Sequence, residues 1–120
     1  MKVPFSLVAL TGSLLLLPSL QPSSAAGNAP IEVEGGSRTT VDYDCSGKAK
    51  RVVYVNGPDD ALALLDVAGK RLIFVNVISG SGARYASGSY VWWSKGPQAR
   101  LYDEMRGPNA KALLECRQRR

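Results

Sequence analysis

Two short segments of this 120-residue chain carry groups able to do chemistry: Ser79-Gly80-Ser81-Gly82, and Lys95 at the head of Lys95-Gly96-Pro97. A hydroxyl both donates and accepts a hydrogen bond, and an ammonium brings three donors and a charge. Glycines at alternate positions let a backbone take φ > 0 or approach a ligand closely. The segment is not a phosphate-binding loop, which ends in Gly-Lys-Ser/Thr and opens a helix. Taken on its four residues alone it is an ordinary hairpin loop. Ser-Lys hydrolysis would need Ser81 or Ser94 beside a desolvated lysine, whereas a Gly-Pro turn is an exposed place for Lys95. No histidine is present, which excludes Ser-His-Asp and Cys-His catalysis and the commonest zinc ligands. Two cysteines cannot make a four-thiolate site. The chain is not expected to be an enzyme, nor to hold a metal or cofactor.

Two further features bear on binding. Trp92 and Trp93 are adjacent in a strand-like run, so their rings face opposite sides of a sheet. One fills the core, and the other is partly exposed, which makes a periplasmic carbohydrate- or lipid-binding barrel the alternative function. Arg117, Arg119 and Arg120 make a basic C-terminus, which in a chain of small net charge is a solvated tail more readily than a nucleic-acid site.

The elements that position these groups are short and β-like. Thr39, Val41, Tyr43 and Cys45 share one face of a first strand, and Lys50 to Val55 is rich in β-branched residues. Asp60 to Val67 contains good helix formers. It is only about eight residues long, and Ala68-Gly69-Lys70 ties it to the strand-like Arg71 to Ile78, so a hairpin is expected. Ala83 to Ala86, Ser89 to Ser94, Ala99 to Asp103 and Ala112 to Arg117 complete eight strands, with a loop at Arg106 to Asn109. Eight antiparallel strands can close into a small barrel packed with side chains; a sandwich is the alternative.

Lys2, an apolar run from Phe5 to Leu17, and small residues Ser24 and Ala26 at −3 and −1 describe a secretory signal peptide, residues 1–26. Pro18 ends the run before the ~20 apolar residues a membrane span needs. No cysteine lies near the site, so no lipid anchor is implied, and the product is expected to be periplasmic or secreted. Residues 27–37 read as a flexible lead and 38–120 as the domain. Loss of Lys2 leaves 14 basic against 10 acidic residues, a net +4. In an oxidising compartment Cys45 and Cys116 are expected to form a disulfide. They are 71 positions apart, and closing such a loop contributes about 4 kcal/mol. The bridge joins the first strand to the last, as barrel closure requires.

Taken together, Ser79-Gly-Ser-Gly-Ala-Arg-Tyr85, Gly88, Trp93-Ser-Lys-Gly96 and Ala99-Arg-Leu101 resemble the membrane-bound and periplasmic inhibitors of c-type lysozyme, the MliC/PliC family. The likeness runs from about Tyr43-Asp-Cys45 to Leu114-Glu-Cys116. The missing lipobox cysteine resembles the soluble periplasmic members. The resemblance implies an eight-stranded antiparallel barrel whose serine-glycine loop enters the lysozyme cleft. Ser81 and Lys95, fourteen positions apart, would meet the enzyme's two catalytic carboxyl groups. Ser79 is a second candidate for the serine role, while Gly80, Gly82, Tyr85 and Gly96 match the motif and shape or support the loop. Animal c-type lysozymes are typically basic, so the net charges of the two partners repel.

Overall fold

Strict alternation along the strands decides which side chains meet in the middle of this fold. The computed structural model describes residue 4, residues 11–20 and residues 30–120. The expected signal-peptide cleavage site after Ala26 lies outside the described residues. Eight strands follow in order: β1 (Ser37–Cys45), β2 (Lys48–Asn56), β3 (Ala61–Val67), β4 (Lys70–Val77), β5 (Ala83–Ser87), β6 (Tyr90–Lys95), β7 (Gln98–Asp103) and β8 (Leu114–Gln118). Each pairs antiparallel with the next, and β1 pairs with β8, so the sheet closes into a barrel rather than a sandwich.

Every strand contributes inward residues. Tyr43 and Cys45 come from β1, Val52 and Tyr54 from β2, Ala63 and Leu65 from β3, and Phe74 from β4. Tyr85, Trp92, Leu101 and Cys116 complete the interior. Trp92 is fully buried, so its indole N–H needs a partner. It donates to the Tyr54 hydroxyl at 2.8 Å, and that oxygen lies 2.8 Å from the Tyr43 hydroxyl. Tyr43 also meets Trp92 edge to face, with ring centroids 5.3 Å apart. Burial pushes the Tyr54 phenol well above its ordinary range.

The seam is the weakest part of the closure. Only Tyr43↔Gln118 and Asp44↔Arg117 pair across β1 and β8. The Cys45–Cys116 disulfide, with Cα atoms 4.1 Å apart, staples this junction covalently.

The ambiguous Asp60 to Val67 segment is a strand. Leu62, Leu64 and Asp66 pair with Val75, Ile73 and Arg71 of β4. Ala68 and Gly69 both take positive φ, 51° and 76°, the conformation a two-residue hairpin turn of the favoured twist requires. Tertiary pairing thus overrides the helix propensity of Ala-Leu-Ala-Leu-Leu. The loop expected at Arg106 to Asn109 is preceded by a single 3-10 turn, Glu104–Arg106, capped by the Asp103 carboxylate, which accepts from the Met105 N–H at 3.1 Å. Val33 packs on a second apolar cluster outside the barrel, formed by Val53, Val55 and Leu64, and its carbonyl accepts from the Gly36 N–H at 2.9 Å.

Candidate functional site

Chain direction puts the β4–β5 loop (residues 78–82), the β6–β7 turn (96–97) and the C-terminus at one end of the barrel. The β5–β6 register sets how these lie. Ala83 pairs with Ser94, so the residue before Ala83 falls beside Lys95. Gly82 adopts φ +66°, and a Cβ built there would lie 2.4 Å from the Ser94 carbonyl oxygen, 3.1 Å from Lys95 Cβ and 3.2 Å from Trp93 Nε1. The serine loop and the lysine hairpin therefore touch, and they touch because residue 82 has no side chain. Gly80 differs. Nothing approaches its Cβ position within 4 Å, so the fold itself makes no steric demand for glycine there.

Two side chains hold the loop in place. Ser79 Oγ donates to the Ser81 carbonyl at 2.6 Å, and Trp93 Nε1 donates to the same oxygen at 2.9 Å. The loop's internal bonds thus use the Ser81 carbonyl and the Ser79 hydroxyl, while the Ser81 side chain stands on an exposed residue. Trp93 is the half-exposed member of the tryptophan pair, as the alternation requires. The guanidinium of Arg100 lies 5.9 Å from its ring centroid, within cation–π range.

Lys95 ends β6 and is exposed. It takes part in none of the four ion pairs among the described residues, which join Arg51–Asp42, Arg71–Asp66, Arg84–Glu104 and Arg100–Glu115. The turn that follows it has Gly96 at φ +54° and Pro97 behind it. A positive first φ with a proline second is the II′ pattern, which matches strand twist and keeps the hairpin tight. The C-terminus braces this turn, since the Gln118 N–H donates to the Pro97 carbonyl at 2.8 Å.

Tyr85 is not at the surface. It is only 6% exposed and packs inside the barrel, 5.7 Å from the Tyr54 ring, because its strand position shares the inward parity of Trp92, its Cα partner. Sequence reasoning missed two contributors. Trp93 was one of a pair of which either ring could be the exposed one, and the Trp-x-Lys spacing is the one signal linking it to the loop. Gln118 carried no signal at all. Among the described residues no cluster of His, Cys, Asp or Glu is arranged to hold a metal ion.

Comparison with known proteins places this arrangement. The family model described as membrane-bound lysozyme-inhibitor of c-type lysozyme, MliC, matches residues 43–110. A membrane-bound lysozyme inhibitor of C-type lysozyme from Pseudomonas aeruginosa is 43% identical over 82 residues, covering 67% of this chain and 65% of that protein. One of the same description from Cupriavidus necator is 39% identical over 110 residues, covering 87% of this chain and 88% of its own. Among solved structures, Pseudomonas aeruginosa MliC in complex with hen egg white lysozyme is similar at 38% identity and a TM-score of 0.60, over 77% of this chain and 91% of that one. The periplasmic inhibitor PliC-St from Salmonella typhimurium shares the fold, with a TM-score of 0.60 at 23% identity, over 70% of this chain and all of that one.

Proposed function

Since this chain belongs to the family of membrane-bound lysozyme inhibitors of c-type lysozyme, we propose that it inhibits such an enzyme by inserting its serine-glycine loop and Lys95 into the catalytic cleft. The observation that carries this reading is the contact at Gly82, whose Cβ position lies 3.1 Å from Lys95 Cβ. One hydroxyl-bearing loop and one cation share a single narrow protrusion. The target chemistry matches them. A retaining glycosidase keeps one carboxyl protonated as general acid and the other ionised. The Lys95 ammonium suits the ionised group, and the Ser81 hydroxyl can bond the protonated group in either orientation. Charge-assisted bonds in a water-excluded cleft are roughly twice as strong as neutral ones. Ser79 is the weaker candidate for the serine role, since its hydroxyl is already committed to the Ser81 carbonyl. Gly80 and Gly82 keep the protrusion slim enough for a groove built for sugar rings.

In this reading residues 1–26 direct export, no lipid is attached, and the inhibitor works in the periplasm or outside the cell, where it shields peptidoglycan. Carbohydrate binding through the tryptophans is less well supported. Trp92 is enclosed in the core, and Trp93 has Arg100 over its ring and its N–H engaged with Ser81. The test is a titration of the purified protein against a c-type lysozyme in a cell-wall clearing assay. Stoichiometric loss of turnover is expected, and Lys95→Ala should weaken it by about 2–5 kcal/mol, because a cleft carboxylate loses its partner. An inhibition constant that Lys95→Ala leaves unchanged removes Lys95 from the site.

A further inference from the structure

Large apolar side chains rarely stand exposed in a row on a small soluble domain, and where they do they mark contact surfaces. Between residues 37 and 120 five are exposed: Ile73, Val75, Val77, Ile78 and Met105. Four of the five lie on β4 or one residue past it. Ile73, Val75 and Val77 alternate on the outer face, and Ile78, 98% exposed, is the first residue of the serine loop's stem. The register extends this strip sideways, since Val75 pairs with Leu62 on β3 and with Ala86 on β5.

A stable protein–protein interface takes about 800 Å² and 20–30 residues from each partner. The protrusion itself, residues 79–82 and 95–97, supplies seven. The remaining contact must come from the shoulders beside it, and there are two. On the β8 side stand Arg117, Arg119 and Arg120, all exposed, next to the Pro97 turn that Gln118 braces. A basic enzyme is repelled there. On the β4 side stands the apolar strip, whose one neighbouring charge on β5, Arg84 opposite Val77, is paired with Glu104.

We infer that the lysozyme docks tilted onto the β4 shoulder, with Ile78 as the apolar anchor and Val75 and Val77 as its flank. The inference rests on the function proposed above. Polar contacts in the cleft then fix position and charge pairing, while burial of the strip slows dissociation. An interface of this kind concentrates its energy in a few well-buried side chains near the centre, and Ile78 is the exposed large apolar residue of the loop itself.

The test is binding kinetics against immobilised hen egg white lysozyme for the wild type and five variants. Ile78→Ser is expected to raise Kd about 10- to 100-fold, mostly through faster dissociation, from full burial of one Ile side chain. Val75→Ser should raise it about 3- to 10-fold, its side chain already being half-covered. Met105→Ser, at the opposite end of the barrel, should change nothing. These side chains are outside the core, so melting temperatures serve only to confirm folding. If Ile78→Ser binds like wild type while Lys95→Ala is weakened, the apolar shoulder is wrong and the cleft reading survives. If neither is weakened, the cleft reading itself fails. Weaker binding on deleting Arg119 and Arg120, with Ile78→Ser neutral, would put the enzyme on the other shoulder. A change in the sedimentation of the free protein with Ile78→Ser, and none in lysozyme kinetics, would make a second copy of this chain the occupant and overturn the inference.

Discussion

Replacing Gly82 by alanine should separate the two halves of the proposed protrusion without touching either functional group. The new Cβ would sit 2.4 Å from the Ser94 carbonyl oxygen and 3.1 Å from Lys95 Cβ, at φ +66°. The left-handed conformation costs an alanine about 1–2 kcal/mol. A carbon 2.4 Å from an oxygen must retreat by about 1 Å to reach ordinary contact, and the neighbour here is strand backbone, so the loop is what moves. A hydrogen bond stretched by that amount is no longer one. Losing one bond to a charged group costs about 1.5–3 kcal/mol, so inhibition should weaken about 10- to 150-fold. The same shift strains the Trp93–Ser81 bond. The melting temperature should fall by roughly 4–15 °C for a loss of about 1–2 kcal/mol in a domain of this size. The clearing assay, run well below that temperature, reads the inhibition constant, and calorimetry reads the melt. Full-strength inhibition by a protein destabilised as expected would refute the argument that loop and lysine act as one fixed unit. Gly80→Ala is the companion variant. It has open space around it, so its melt should be unchanged and any lost inhibition would come from the cleft.

Tyr54→Phe should cost about 1–3 kcal/mol in chemical denaturation, because the buried Trp92 N–H and Tyr43 hydroxyl both lose their partner. Burial raises the Tyr54 phenol, so the folded protein keeps a proton that the unfolded chain releases near pH 10. The contribution of Tyr54 to stability should therefore be constant below about pH 10 and be lost as pH rises above it, and Tyr54→Phe should have the shallower slope in that alkaline range. Removing the disulfide in a Cys45→Ser, Cys116→Ser double variant should lose about 4 kcal/mol; an unchanged denaturation midpoint would mean the two-rung seam closes by itself. Association with a basic lysozyme should speed up as salt screens the repulsion between two positive proteins. Stopped-flow rates that fall steeply from low to physiological salt would indicate that local complementarity governs the approach instead.

Much of the architecture is local in origin and was therefore legible. Period-2 alternation marks Tyr43 and Cys45 as inward, turn residues punctuate the chain at each hairpin, and two cysteines leave a single pairing. Even the Asp60 to Val67 strand yields to its short length and tight Ala68-Gly69 connection, against its propensity. Strand alternation also dictates that Trp92 and Trp93 part company, but not which of them goes inside. That depends on the parity of β6 against β5, fixed only when Tyr85 and Trp92 pair across the closed sheet.

The candidate site is decided the same way. The motif names Ser81, Lys95 and their glycines from sequence, yet a separation of fourteen positions fixes nothing about distance. The β5–β6 register brings Gly82 against Lys95, distinguishes a glycine the fold needs from one it does not, turns Tyr85 inward and sends the Trp93 N–H to the Ser81 carbonyl. Sequence determines which residues alternate and where the chain turns, because those preferences act over a few bonds. Only the closed barrel decides what meets at its rim, because that is a matter of register between strands.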